Sequence, residues 1–570
     1  MSQPRNIIIV GGVAGGMSCA TRLRRLDEKA NITVIEKGPF ISYANCGLPY
    51  ALGGVIQDES KLNVQTVEKI QSWFNVHVRV NSELMSVDRA SKTVTIRDES
   101  GATTTLPYHK LVLAMGAKPL LPKITGIDTT RVFHLHTIPD LRELENFIRT
   151  NNCKKAAVVG GGFIGVEAVE NLKMLGLDVT LVEYNPHIFP PMDGDLAEIL
   201  HEEMRKNGVK LLLNATLTKI VPAAGHSCSL YFEKDDPDNH PVVTIDVAVL
   251  AVGIRPRTTV VAAAGIETGS YGGIKVNEYL QTVSDPDIYA AGDMVETPNL
   301  VAGKDMITAL AGPANRQGRL VADNICGRHV RYRGNVGAAI CKVFGKTLGL
   351  CGFSVESLPK FMPEVKFKYI TVHPPNHAGY YPGAANMTIR LAFEVPGGRI
   401  LGAQIVGQEG VDKRIDVMAT AMRAGMNVED LEHLELAYSP PYNSAKDPVN
   451  MAGFVAGNVL RGDVEVAHAA EFAEGGPRKL EEYQIVDVRS VPEFERGHLV
   501  NGENVPLGNL REHIKKLDRR SKTLVLCQVG YRGYLAYRIL KQSGFDDVSN
   551  LDGGFKSVLE GPYDALQAKV

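Results

Sequence analysis

Apolar runs of four or five residues recur along the chain, each closed by glycines or other small residues and most followed by a stretch with helical spacing. In "NIIIVGGVAGGMSCATRLRRL" the run predicts a strand buried on both faces, the glycines a turn, and the remainder a helix. A second strand, "NITVIE", then ends on Glu36. The same order returns in "KKAAVVGGGFIGVEAVENLKMLGLDVTLVE", which ends on Glu183. Three further stretches, "LVLAMGAKP" (111–119), "VAVLAVGIRP" (247–256) and "DIYAAGDMVE" (287–296), each set a β-rich run before a small-residue turn. "ALAGPANRQGRLVADNI" predicts a helix entered through Gly312 and Pro313. After the polar, small-residue stretch 461–476, read as a linker, "YQIVDVR" and "TLVLC" restart the pattern in a separate domain at 477–570. Strands alternating with helices predict an α/β protein.

A strand, a glycine turn, a helix and a second strand ending on an acid is the order of a dinucleotide-binding unit. Glycines let the backbone approach a pyrophosphate at the helix N-terminus, and the acid bonds ribose hydroxyls. The candidates are Gly11, Gly12, Gly15, Gly16 and Glu36 in the first copy, and Gly160, Gly162, Gly165 and Glu183 in the second. Val13 occupies the middle glycine position of the first copy, whereas the second is in full register. Two such units imply two dinucleotides. Glu183 suits a free 2′-hydroxyl and repels a 2′-phosphate, and neither Tyr184 nor Asn185 supplies a positive charge, so NADH is favoured over NADPH. Asp293 follows a glycine at a strand end, where a carboxylate can bond the ribityl or phosphate-side hydroxyls of a flavin.

At 570 residues the chain predicts three or four domains. Its 62 Lys+Arg nearly cancel 64 Asp+Glu without a basic block, which argues against nucleic acid as a partner and for small-molecule chemistry. The eight cysteines form no CxxC pair and no zinc spacing, so no metal site is expected and a reducing cytoplasm fits. Glycines and Arg22 interrupt the apolar N-terminus, and no stretch reaches the roughly 18 apolar residues of a membrane span.

The order of these motifs resembles the pyridine nucleotide-disulfide oxidoreductase family over about residues 5–460. The resemblance implies Rossmann-like domains for FAD (1–120 and 280–330) and NAD (121–279), followed by an α+β dimerisation domain (331–460). "SYANCGLPY" (42–50) offers one sulfur, Cys46, and looks like the active-site loop of coenzyme A disulfide reductases. Such a cysteine would cycle between thiolate and a mixed disulfide or persulfide, with a pKa lowered below the free value of about 8.5. Ser42, Asn45 and Arg22 are carried over as substrate contacts, Arg22 toward coenzyme A phosphates. "NHAGYYPGA" and "LAYSPPYNSAKDPVN" resemble stretches that send tyrosines into the partner subunit's site. Tyr380 and Tyr438 take that role in a homodimer with shared active sites, with Tyr381 and Tyr442 as neighbouring candidates. The NADH oxidase and peroxidase branch, which forms a cysteine sulfenic acid, is the rival within the family. Its members carry a histidine where this chain has Ala14.

In the last domain "DVR" (487–489), "GHL" (497–499), the loop Cys527-Gln528-Val529-Gly530-Tyr531-Arg532 and "LDGG" (551–554) together resemble a rhodanese domain, of α/β fold. Amides at a helix N-terminus would stabilise a Cys527 thiolate or persulfide, and Arg532 would add charge. Gln528 departs from the charged residue usual after that cysteine. The fusion implies reduction by NADH of coenzyme A persulfide, polysulfide or coenzyme A disulfide, releasing hydrogen sulfide or thiol. Alternatives are a disulfide reductase with an incidental rhodanese domain, an inert rhodanese fold used for docking, and a sulfur-carrier or redox-sensing protein with slow turnover.

Overall fold

The computed structural model describes residues 4–127, 129–223, 227–233 and 238–568. The chain divides into two compact units, one of residues 1–185 and 208–335, the other of 186–207 and 336–570.

Two sheets of parallel strands organise the first unit. The strands Asn6–Val10, Asn31–Ile35, Lys110–Leu113, His77–Arg79 and Asp285–Ala290 run parallel in one, with a short antiparallel edge at Gln281–Thr282. The other orders Lys210–Leu212, Asp178–Val182, Lys155–Val159, Val247–Leu250 and Val132–Phe133. Their central strands are continuous apolar runs because both faces are covered. Pairing of Val10 with Ile35 and of Val159 with Val182 brings each glycine turn to the carboxyl end of its sheet, beside the acid that follows the second strand.

The boundaries expected for the NAD-binding domain shift at two places. Residues 186–207, including the helix Gly194–Lys206, group with the second unit. Val261, Ile266 and Ile274 pack in one core with Ile8, Val10 and Leu113, so the segment around them belongs with the first sheet rather than the second.

In the second unit, an antiparallel sheet of Ala339–Val343, Lys346–Gly352, Ile400–Gly407, Thr388–Glu394 and Phe367–Val372 carries the helices Val411–Ala424 and Pro448–Leu460. A parallel sheet of Val466–Ala467, Val548–Leu551, Thr523–Leu526, Gln484–Asp487 and Gly502–Asn504 follows. The expected linker 461–476 is a correction: Val466–Ala467 forms an edge of that sheet, and Val464, Ala467, Ala469 and Phe472 are buried. A polar composition hid it. Most of its apolar residues face inward, Ala470 excepted.

Buried polar groups fasten this sheet to its neighbour. Asp552 accepts the Thr371 amide at 3.0 Å and lies 3.2 Å from His468, whose ring stacks on Tyr369 at 3.7 Å. Arg390, 6 % exposed, donates to Asp195 at 2.6 and 2.8 Å and to Asp193 at 3.1 Å, while the Tyr563 hydroxyl donates to Asp195 at 3.1 Å. Burial pushes Asp195 up, but the guanidinium outweighs it and holds this carboxyl below the usual range.

His373 lies in the same seam. Thr388 gives its one hydroxyl hydrogen to Glu560 at 2.8 Å, so His373 Nδ1 donates to Thr388 at 3.0 Å and Nε2 accepts from Ser557 at 3.1 Å. Burial, reinforced by Lys556, pushes the ring down to about 3 and outweighs the opposing pull of Asp552. Between that value and the unfolded pKa of about 6.5 the unfolded chain binds the extra proton, so stability present above about 6.5 is lost as pH falls. Urea titrations at descending pH are expected to show this loss, and His373→Gln to flatten it by up to ~1.4 kcal/mol per pH unit. Identical slopes in the two proteins would contradict a neutral buried His373.

Candidate functional site

Both glycine turns share one geometry. Gly11 and Gly160 sit at φ +111° and +110°, and a Cβ on Gly16 or Gly165 would lie 1.8 or 1.9 Å from the carbonyl oxygen of Gly11 or Gly160. No side chain fits there. These pairs are equivalent, so Val13 corresponds to Gly162, where a Cβ would meet nothing within 4 Å. That open side of the turn, next to the helix beginning at Phe163, suits a pyrophosphate. A Cβ on Gly12 would meet Ile41 at 2.8 Å, and one on Gly15 only reaches contact distance.

Glu36 accepts the amides of Gly12 and Gly38, each at 2.7 Å, and burial raises its pKa against those bonds. Glu183 likewise accepts from the Gly161 amide and, at 2.8 Å, from the Asn185 amide. Each acid thus fixes its own turn. Asp293 makes no side-chain hydrogen bond among the described residues, and burial alone raises its pKa, as fits a carboxylate facing the hydroxyls of a bound group. The Gly292 amide beside it donates to Gln317 at 2.7 Å, on the helix Ala311–Ile325. Glycine cradles, ribose-type acids and this free carboxylate fit a flavin dinucleotide in the first sheet and a nicotinamide dinucleotide in the second.

The cysteine loop hangs from the first turn. Ser42, in the left-handed region at φ +46°, donates its amide to the Gly12 carbonyl at 2.7 Å and accepts from Val64 at 2.8 Å. Asn45 and Cys46 follow, both exposed, in a short 3-10 turn that runs into the helix Leu48–Leu52. The expected lowering of the Cys46 pKa is not supplied by the chain. Burial of the sulfur, then Glu167 and Asp293, push it up. Glu167, which sequence reasoning missed, accepts from the Tyr50 hydroxyl at 3.0 Å. Its place one turn into a helix of the other sheet gave no signal. Arg22, expected as a contact for coenzyme A phosphates, has its guanidinium held by Asp323 at 2.8 Å, both side chains largely buried, which ties two helices together.

In the second unit the structure brings together the two tyrosines singled out by spacing. Tyr380 and Tyr438, 76 % and 49 % exposed, share a hydrogen bond of 2.9 Å between their hydroxyls, and this bond raises the Tyr380 pKa. Tyr381 and Tyr442 are exposed beside them in sequence.

Cys527 is buried at the end of the strand Thr523–Leu526, before a tight loop with Gly530 at φ +94° and the helix Tyr531–Gln542. Its carbonyl accepts from Phe555 at 2.8 Å and that of Gln528 from Lys556 at 2.9 Å, so the "LDGG" turn supports the loop from behind. Arg489, 1 % exposed, donates to Asp487 through Nε and Nη2 (2.7 to 3.0 Å), to the Gly497 carbonyl at 2.7 Å and to Gln528 Oε1 at 3.2 Å, and lies over the Phe555 ring. Arg532 does not act as a free charge, because Glu493 takes both guanidinium nitrogens at 2.7 and 2.8 Å.

Residues 5–317 match the family described as pyridine nucleotide-disulphide oxidoreductase, residues 338–448 its dimerisation domain and 474–560 the rhodanese-like domain. The chain belongs to the pyridine nucleotide-disulphide oxidoreductase family. Among curated relatives, a coenzyme A disulfide reductase of Staphylococcus haemolyticus is 32 % identical over 79 % of this chain and 99 % of its own length. An NADH oxidase of Methanocaldococcus jannaschii is 33 % identical over 78 % and 97 %. Two solved structures extend over the last domain as well. One is that of reduced Bacillus anthracis CoADR-RHD (TM-score 0.92, 41 % identity, 98 % of each chain), the other a NAD-dependent persulfide reductase from A. fulgidus (0.89, 34 %, 97 % and 99 %). This oxidoreductase therefore joins FAD- and NAD-linked domains, a dimerisation domain and a rhodanese-like domain in one chain.

The buried Asp487–Arg489 pair is the support behind the last domain's cysteine loop. In Asp487→Asn the guanidinium loses its partner, and a loss of about 3–5 kcal/mol is expected. Hydrogen exchange over residues 484–489 and 523–530 of the full-length protein checks this, and unchanged protection would refute it.

Proposed function

We propose that this oxidoreductase is an NADH-dependent reductase of coenzyme A persulfide, polysulfide or coenzyme A disulfide, working as a homodimer. The observation that carries the proposal is a single flavin-side cysteine, Cys46, on the same chain as a buried rhodanese-type cysteine, Cys527. One site breaks sulfur–sulfur bonds and the other carries sulfane sulfur. The relatives described as a coenzyme A disulfide reductase and as a NAD-dependent persulfide reductase support both halves.

In this reading Gly11, Gly12, Gly15, Gly16, Glu36 and Asp293 hold FAD, and Gly160, Gly162, Gly165 and Glu183 hold NADH. Bound FAD supplies electron transfer between the nicotinamide and sulfur. The chain does the rest. Cys46 attacks the substrate disulfide or persulfide as a thiolate. Because the protein's own groups raise its pKa, the stabilising charge has to arrive with what binds there. Ser42 and Asn45 line the approach to it. The Tyr380–Tyr438 pair, offered by the partner subunit, donates to the departing thiolate, and the bond between the two hydroxyls raises the Tyr380 pKa.

A peroxide or oxygen reductase is the second reading, favoured by the similarity to the NADH oxidase. Ala14, at the start of the first helix, offers no proton donor to a sulfenic acid.

Cys46→Ser is expected to lower turnover of all these sulfur substrates at least about 100-fold while NADH still bleaches the flavin absorbance. Cys527→Ser should spare coenzyme A disulfide and preformed coenzyme A persulfide and slow polysulfide. Polysulfide turnover unaffected in Cys527→Ser would separate the two sites and end the coupled reading. On the nicotinamide side, Glu183 should give NADH a kcat/KM at least about tenfold above that of NADPH. Parity between the two cofactors in steady-state assays would refute that role.

A further inference from the structure

The charges around Cys527 bear on which sulfur compound can load it. Three cationic side chains connect to this loop. Arg489 reaches Gln528, Arg532 interacts with the Cys527 sulfur, and Lys556 bonds the loop through its backbone amide. Each is matched with a carboxylate. Arg489 grips Asp487, Arg532 makes a two-point bond with Glu493, and Lys556 bonds Glu560. Glu493 stays ionised well into acid: the Arg532 bond outweighs burial and holds it at about 2. Ser490 donates its amide at 2.9 Å and its hydroxyl at 2.7 Å to the same carboxylate, so the acid is built into the fold. Gln528, next to the cysteine, is uncharged.

What remains for an incoming anion is the amides of the loop and of the helix Tyr531–Gln542. Such groups stabilise one negative charge, that of a cysteine thiolate or persulfide. They do not supply a free cation for a second and third. The rim is apolar and exposed at Tyr531, which opens that helix, and at Val491, two residues before Glu493.

We propose that Cys527 takes sulfane sulfur from alkyl persulfides, which react in their protonated form R–S–SH, and excludes dianionic donors of the thiosulfate type, with Glu493 as the residue that sets this choice. The proposal rests on the sulfur-carrying role given to Cys527 above. The thiolate attacks the outer sulfur of R–S–SH, a bond forms between Cys527 Sγ and that sulfur, and the S–S bond between the inner and outer sulfurs breaks. The alkyl thiolate leaves and takes up the persulfide proton, giving a cysteine persulfide anion and RSH with no net oxidation. Thiosulfate would instead expel sulfite, a dianion, against an ionised glutamate.

The test uses full-length Cys46→Ser protein, so that only the second site is loaded, with pantetheine persulfide and thiosulfate as alternative donors. Peptide mass spectrometry follows the gain of one sulfur atom on Cys527. Loading by pantetheine persulfide is expected to be at least about tenfold faster. Glu493→Gln should raise the thiosulfate rate about tenfold and leave the pantetheine persulfide rate within about threefold. On the wild-type background Glu493→Gln should keep coenzyme A disulfide reduction, which verifies folding. Gln528→Lys, which adds a cation without touching the Ser490–Glu493 bonds, should produce the same gain. Equal wild-type rates, or no gain in either variant, overturn the donor assignment alone. No sulfur on Cys527 from either donor overturns it together with the carrier role. Preferential loading by the persulfide, with polysulfide reduction indifferent to Cys527→Ser, supports the donor assignment and removes only the coupling to the flavin side.

Discussion

The first unit depends on how closely a helix can approach the strand before it. At Gly16 and Gly165 that approach leaves no room for even one methyl group, and at Gly11 and Gly160 the backbone must turn through a left-handed conformation. Everything at the flavin side follows from this crossing. The acid at the end of the next strand bonds the turn, Ser42 bonds the Gly12 carbonyl, and four residues later the chain presents Cys46. A Cβ on Gly318 would lie 2.0 Å from the Gly15 carbonyl, so the helix Ala311–Ile325 is set against the same turn, which leads to Asp293 through the Gln317 bond.

A different constraint governs the second unit. Its hydrophobic core runs without a break from the antiparallel sheet, at Ile389 and Ile405, to the parallel one, at Val525 and Cys527. Arg390, Asp552 and His373 add buried polar bonds across the seam. Ion pairs of this kind contribute little net stability, because desolvation offsets the attraction, but losing one partner is costly. They therefore select one docked arrangement. The segment 461–476 is no free tether, since it carries an edge strand of the sheet itself.

The fold was legible wherever a residue type is required by backbone geometry. Glycine turns, acids at strand ends and the two cysteine loops could be placed because their spacing is dictated by strand and helix. Side-chain pairing was not legible. Arg22 and Arg532 both looked like free charges until Asp323, 301 residues away, and Glu493, 39 residues away, came into contact with them. Tyr380 and Tyr438 could be singled out because the motifs that carry them are local, although nothing in their 58-residue separation announced the hydrogen bond between them. The linker failed for a related reason: a two-residue edge strand has no periodicity to detect.

The two sulfurs face opposite electrostatic problems. Around Cys46 the nearby acids Glu167 and Asp293 work against a thiolate, and among the described residues no cation figures among the main influences on it. Such a site discriminates by making reactivity conditional on what is bound, which keeps an exposed thiol quiet in the resting protein. Around Cys527 the available support is the amides of the loop and helix N-terminus together with Arg532, which is shared with Glu493, while Arg489 serves as a paired support for the loop. Removing positive charge from a loop whose chemistry passes through an anion would be a defect if the donor were itself highly charged. With a donor that reacts in its protonated, neutral form it is an advantage, because the site then stabilises the one charge that forms on the cysteine and nothing that stays in solution.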